Sequence, residues 1–408
     1  MQPSALPALS SFVSTLEHNV HDLWTQWATI STRQHLLLSC YILDSQQTTL
    51  FARDPESSPR FPVDDLPFPV QQSLWDAKSA NEWFALVQQP STMPRTIFEA
   101  FNHPIVGGYE DFQAVVLIAT YYARFSGDAS CFDTDIDHLL AKSPKIRHQV
   151  LTAKLVRLVP VRALLAVSGE TWVLGTKATS QSECTALRGT LHTWLGQLWS
   201  CPVHDHLSTT VEALRISIVI LHLSFTTPEL LALGVDHKLG LFIASLVVWA
   251  ATVATGTRAN GSGTPAQHSH LSPVTKLPVI LATPAYPSSF TSVGQAPELY
   301  QDIQAALALP APFDGRSSMP HSDVASNTSH FLVNAIKDIA SLNVIPCHTG
   351  CTSLLLWLKM HLRGASLHER NSPAQDVVLM GDYDGELVSI ILGQIERMLS
   401  QGWEVWGI

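Results

Sequence analysis

Charge is scarce in this sequence. Only 14% of its 408 residues are Asp, Glu, Lys or Arg, and the 24 basic residues are outnumbered by 34 acidic ones, for a formal net charge of −10. A chain of that sign repels a phosphate backbone, which argues against the protein as a whole being a nucleic-acid binder. No run of five to eight Lys and Arg residues occurs, so a simple nuclear import signal is missing. Cysteine is also sparse. Cys40, Cys131, Cys184, Cys201, Cys347 and Cys351 are scattered over the whole length without a dense framework, a pattern that predicts reduced thiols in an intracellular protein. The segment Met1 to Pro7 has neither a basic start nor a long apolar stretch, which excludes a secretory signal or transit peptide there. Nucleophile elbows, phosphate-cradling glycine loops and dinucleotide fingerprints are absent too, and this lowers the enzyme class.

What is abundant is apolar surface. Hydrophobic residues make up 46% of the chain, enough for one large or two ordinary domains with a well-buried core. Their spacing is helical nearly everywhere, and no segment alternates like a strand for long. Helical patterns cover Phe112 to Phe125, a basic segment from Lys142 to Arg162, Thr185 to Ser200, Val211 to Phe225, Leu239 to Ala254, Phe331 to Leu342, Ser353 to Leu362 and Gly385 to Gln401. The uncharged window from Leu239 to Thr257 approaches the length needed to span a bilayer. Gly240, Ser245, Thr252, Thr255 and Gly256 within it, and the lack of a second clear span, favour a core helix instead. The expected organisation is a main helical part over residues 1–255, a flexible Gly/Ser/Thr/Pro-rich loop over 256–297, and C-terminal helices over 298–408 that close the same core. A short helix from Leu299 to Leu309 is expected between two polar tracts.

The stretch from Trp24 to Trp83 holds the most unusual residues. Trp24 and Trp27 fall three apart, on one face of a helix continued by Ile30, Leu37, Leu38, Tyr41 and Ile42. The tract from Phe61 to Pro69 cannot be helix, because each Pro removes a donor and pushes its predecessor to extended geometry. Its part from Pro62 to Pro69 is expected to cross the surface between two helices. Ser79 with Glu82 forms a capping-box pattern at the next helix start. Trp24, Trp27, Trp75 and Trp83 are read as buried anchors.

These residues together resemble the fungal-specific transcription factor domain, a large helical regulatory region that usually follows a zinc-containing DNA-binding module. The resemblance rests on Trp24 and Trp27, Arg33 and Leu36, Tyr41-Ile42-Leu43-Asp44, Leu66-Pro67, and Trp75-Asp76-Ala77 with Ala80 and Glu82-Trp83. It covers about sixty residues. Where the family carries an acidic residue and two arginines, this chain has Ser31, Gln34 and His35. The resemblance implies an all-α, multi-helical regulatory domain, located in the nucleus, that works through other transcription factors or a homodimer partner, and that controls a secondary-metabolite gene cluster as many family members do. No closely spaced cysteine set or two-Cys, two-His finger is present, so DNA contact is expected only indirectly, or through a module lost by truncation. The rival readings are a helical intracellular enzyme of unrecognised type and a membrane-associated helical protein.

Neither a cofactor nor a metal is expected. Cys347-His348-Thr349-Gly350-Cys351 lacks the four ligands of a structural zinc site, and His204-Asp205-His206 and His268-Ser269-His270 are bare pairs. Counting twelve from Asp382 reaches Gly393 rather than the Glu that an EF-hand requires, so Asp382 to Glu386 reads as an acidic helix start. The one partner surface suggested by the residues is basic: Lys142, Lys145, Arg147, Lys154, Arg157 and Arg162 occupy a segment without Asp or Glu. The plainer reading of that segment is a solvated helical face with Ile146, Val150, Leu151, Leu155 and Leu158 turned inward.

Overall fold

The computed structural model describes residues 19–50, 66–89, 93–102, 108–124, 136–168, 180–199, 208–227, 229–230, 234–261, 321–337, 348–371 and 383–401. Of these, 86% are helical and none lies in a strand, so the fold is all-α. In chain order the helices are α1 (Val20–Leu50), α2 (Gln72–Trp75), α3 (Ala80–Val87), α4 (Ile97–Asn102), α5 (Asp111–Arg124), α6 (Pro144–Leu158), α7 (Val161–Ser168), α8 (Gln181–Gly196), α9 (Thr209–Thr226), α10 (Val235–Gly261), α11 (His321–Lys337), α12 (His348–Asn371) and α13 (Tyr383–Gln401). Two 3-10 turns, Asp137–Ala141 and Gln197–Trp199, lead into α6 and out of α8.

Local chemistry sets several of these boundaries. The Ser79 side chain accepts a bond from Glu82 N at 3.2 Å, and the Glu82 carboxylate accepts from Lys78 N at 2.9 Å. The predicted capping box therefore forms, with its return bond one residue further out. Ser143 caps α6 with Pro144 in the first turn, and Ser180 caps α8. The expected single basic helix is two helices. Val159 is extended (φ −112°, ψ 136°), as a residue before proline prefers, and Pro160 starts the chain in a new direction.

One large core joins α1 and α4 through α13. Its axis is α10. All residues from Leu239 to Ala254 are buried there, and the buried hydroxyls of Ser245 and Thr252 donate to the carbonyls of Leu241 and Val248, one turn earlier. The helix thus satisfies its own polar groups inside an apolar interior. Helix α9 also matches a membrane span in length and apolarity, contrary to the expectation of a single such window, but α10 is fully and α9 half covered by protein. Helix α10 can lie directly against α6 because residue 240 is glycine: a Cβ there would come within 2.5 Å of Thr152 Oγ1. Gly350 does the same for α12 against Phe331 of α11, again at 2.5 Å.

Two expectations need correction. Helix α10 runs on to Gly261, so residues 256–261 are helix rather than loop, because Gly256 alone does not stop a helix of this length. The end of the proline tract does not cross the surface. Leu66, Phe68 and Pro69 are buried, and Pro67 pairs with Thr96 through Phe68 N to Arg95 O at 2.9 Å and Ile97 N to Leu66 O at 3.1 Å. Residues 61–65, the loop from 262 to 297 and the expected helix at Leu299 to Leu309 lie outside the described residues.

A second, smaller core stands beside the first. Leu23, Trp27, Leu74, Ala77 and Trp83 form it, with Trp24 and Trp75 partly buried at its edge. The Trp27 ring centroid is 5.5 Å from that of Trp75 and 5.4 Å from that of Trp83, both tilted. Trp27 and Trp83 are therefore the buried anchors, while Trp24 and Trp75 are only half so.

Candidate functional site

The predicted basic segment folds largely onto the protein's own groups. Lys154 pairs with Asp137, and Arg162 pairs with Glu183 at 2.6 Å. Arg147 Nε donates to Leu140 O at 2.8 Å, and the Arg157 guanidinium lies 4.6 Å from the centroid of the Tyr121 ring. Lys142 Nζ would come 3.3 Å from a Cβ at Gly108, whose positive φ of 92° suits glycine. Lys145 is exposed. The acids are supplied by Asp137 and Glu183, both outside the segment, which is why its own composition hides the neutralisation. Of the five apolar residues expected to turn inward, Ile146, Val150, Leu151 and Leu155 are buried, while Leu158 is only partly so.

Where α6 ends, a groove of about 590 Å³ opens. One wall is the elbow between α6 and α7, with Arg157, Leu158, Val159 and Pro160; the other is α8 and the turn after it, with Gly189, Thr190, Thr193, Trp194 and Gln197. Trp194 Nε1 donates to Leu158 O at 2.9 Å and ties the two walls together. That carbonyl is available because Pro160 interrupts the helix beyond it.

A polar cluster that the sequence reading did not single out lies at the meeting of α1, α5, α6 and α10. His148 and His237 are buried, their rings stacked with centroids 4.9 Å apart. Asp236 Oδ1 is 3.0 Å from His237 Nδ1, and Gln149 Nε2 donates to Asp236 Oδ2 at 2.6 Å. Thr152 Oγ1 lies 3.5 Å from His148 Nδ1. Burial, reinforced by the neighbouring His237, pushes His148 down to about 3 and keeps it neutral. Burial pulls Asp236 upward, but its bonds to His237 and Gln149 outweigh this and hold it below the usual carboxylate range. Burial, with the charge of Asp236 added, raises Tyr122 far above its ordinary value. The adjoining cavity, lined by Gln46, Tyr122, Gln149, Thr152 and Asp236 among others, measures only about 10 Å³. That is room for one water and no substrate. The cluster's chemistry is structural: one partly buried carboxylate is held ionised by its bonds to His237 and Gln149.

Among the described residues, no group of three or more His, Cys, Asp or Glu side chains is placed to hold a metal ion. Cys351 is buried in α12, while Cys347, both His-x-His pairs and Asp382 lie outside the described residues. Helix α13 does begin at Tyr383, within the stretch read as a helix start.

The segment that carries the family resemblance contributes one exposed feature. Helix α1 buries Leu23, Trp27, Leu38, Tyr41 and Ile42 on one face, yet Leu36 and Leu43 on the other are 66% and 57% exposed. Cys40, exposed and free, sits between them. Residues seven apart return to the same side of a helix, so the two leucines make one stripe. His35, where the family carries a basic residue, stacks on Phe112 with ring centroids 3.9 Å apart, and burial lowers its affinity for a proton. Arg33 is exposed, and Ser31 is buried at 2% exposure. Comparison with protein-family models, with curated proteins and with solved structures finds no match for this chain.

Proposed function

We propose that this chain is a helical regulatory domain of the fungal transcription-factor type, which acts through protein contacts rather than catalysis. The observation that carries the reading is the leucine stripe of α1. Among the described residues, Leu36 and Leu43 belong to the longest helix, within the stretch that resembles the family, and they are the two most exposed of the large hydrophobic residues. Side chains of this kind, left uncovered on a helix whose other face is committed to the core, suit helix-to-helix docking. The partner is another transcription factor or a second copy, and the place of action is the nucleus. Contact with DNA is indirect in this reading, because the net charge is −10 and much of the basic segment is engaged internally. The test is a tethering assay. With the full chain fused to an unrelated DNA-binding module, reporter output should differ several-fold from the module alone, in either direction; an unchanged output contradicts the proposal.

A further inference from the structure

The lobe that carries α2 and α3 leaves the main core and rejoins it at one place. Leu66, Phe68 and Ile97 belong to that core, and the bonds from Phe68 N to Arg95 O at 2.9 Å and from Ile97 N to Leu66 O at 3.1 Å pin the two ends of the excursion together. Between them, no residue from Val70 to Gln89 belongs to the main core, and the smaller core is built from α1 and residues 70–87 alone. The lobe is bonded to itself. Beside the Ser79 cap, Lys78 N donates to the Glu82 carboxylate, and Gln72 Nε2 donates to Asp76 Oδ1 at 3.0 Å. Among the described residues, the one hydrogen bond from Val70–Gln89 to another part of the chain runs from Gln72 N to Glu110 Oε2 at 2.5 Å. Its main hold on the molecule is the packing of rings on α1: Trp75 and Trp83 against Trp27, and Trp75 edge-on to His35 with centroids 5.2 Å apart.

That contact leaves three donors unbonded. The indole nitrogens of Trp27, Trp75 and Trp83 are buried in it without hydrogen-bond partners among the described residues. Lifting the lobe gives each N–H to water, so separation restores hydrogen bonds that the closed contact lacks. We infer that α2 and α3 form a flap that swings away from α1 as one unit, hinged at the bridge between Pro67 and Thr96, and bares Leu23 and Trp27. The buried rings favour the closed position, and the unbonded donors lower the cost of leaving it. Helix α1 stays in place meanwhile, because Leu38, Tyr41 and Ile42 anchor its other half in the main core. This inference is independent of the regulatory reading, because opening is measured on the purified chain without a reporter.

The measurement is amide hydrogen exchange of the full chain, read residue by residue by mass spectrometry with electron-transfer fragmentation. The amides of Asp76 and of Trp83 to Gln88 are bonded within the lobe. They should exchange through one shared opening, about a hundredfold or more faster than those of α10 and with roughly half their sensitivity to urea or less. Phe68 N and Ile97 N, at the hinge, should exchange with α10 instead. Trp27→Ala removes the ring on which both Trp75 and Trp83 rest, and should speed exchange in the lobe by about tenfold or more while α10 stays protected. Exchange of the lobe only together with α10, unrelated rates within the lobe, loss of hinge protection in the same opening, or no change on Trp27→Ala would each overturn the assignment. The first three outcomes are read on the unaltered chain and stand whatever the stability of the variant.

Discussion

Helices α10 and α1 are the two longest described elements after which the rest is arranged, and they spend their apolar residues in opposite ways. Along α10 every residue from Leu239 to Ala254 is buried, so its hydrophobicity is fully accounted for by the core. Helix α1 is divided. It lends Leu38, Tyr41 and Ile42 to the main core and Leu23 and Trp27 to the aromatic one, yet leaves Leu36 and Leu43 in water. A residue whose burial explains its presence needs no further role; a large exposed aliphatic on an otherwise committed helix invites one.

The contrast breaks most visibly in stability. Phe242→Ala should cost about 3–5 kcal/mol in denaturant unfolding, since Phe242 is fully buried in α10. Leu36→Ala should cost less than about 0.5 kcal/mol, because it removes little buried surface. Equal losses would mean that Leu36 is covered by protein.

The next effect is in pH. An unfolded histidine takes up a proton near 6.5, whereas buried His148 does so only near 3, beside His237 and Asp236. A depressed histidine contributes stability that is complete above its unfolded value and is lost as pH falls below it. Stability should therefore decline from about pH 6.5 toward 3 by at most ~1.4 kcal/mol per pH unit. Asp236, also lowered, adds to the loss only below the ordinary carboxylate value of 3.8. His148→Gln should flatten the slope between pH 6.5 and 4, and urea titrations at several pH values would show an unchanged slope if His148 were protonated in the fold.

A smaller effect belongs to the aromatic core. The indole nitrogens of Trp27, Trp75 and Trp83 are buried without hydrogen-bond partners among the described residues, a cost of about 1–3 kcal/mol each by the usual desolvation penalty. Trp83→Phe removes one such donor while keeping an aromatic ring, so its loss should fall about 2 kcal/mol or more short of the ~3–5 kcal/mol expected for Trp83→Ala. Similar losses in thermal unfolding would mean that the Nε1 of Trp83 is bonded.

Local periodicity carried most of the fold. The apolar runs at Val211 to Phe225 and Leu239 to Ala254 are α9 and α10, and Ser79 and Glu82 start α3 where their chemistry requires. Pro160 was also legible as a break, since it stands inside the predicted basic helix, but the inward apolar residues on either side of it masked the change in direction. The pairing of Leu66 to Pro69 with residues 95–97 could not be read, because it joins two irregular segments through backbone groups that carry no residue code. Long-range juxtaposition hid the rest. Asp236 reaches Gln149 across 87 positions, and the groove exists only because α8 returns to the elbow at Pro160. The residues of both were visible as types, His148 among inward-facing neighbours and Asp236-His237 ahead of an apolar run, but nothing local joins them.

The difference between α10 and α1 is tested most directly by the double variant Leu36→Glu/Leu43→Glu in the tethered reporter assay, with melting temperature measured in parallel. The account predicts that reporter output returns to the level of the DNA-binding module alone, while the melting temperature stays within a few degrees of the unaltered chain. Output that is retained in full by a folded double variant would contradict it.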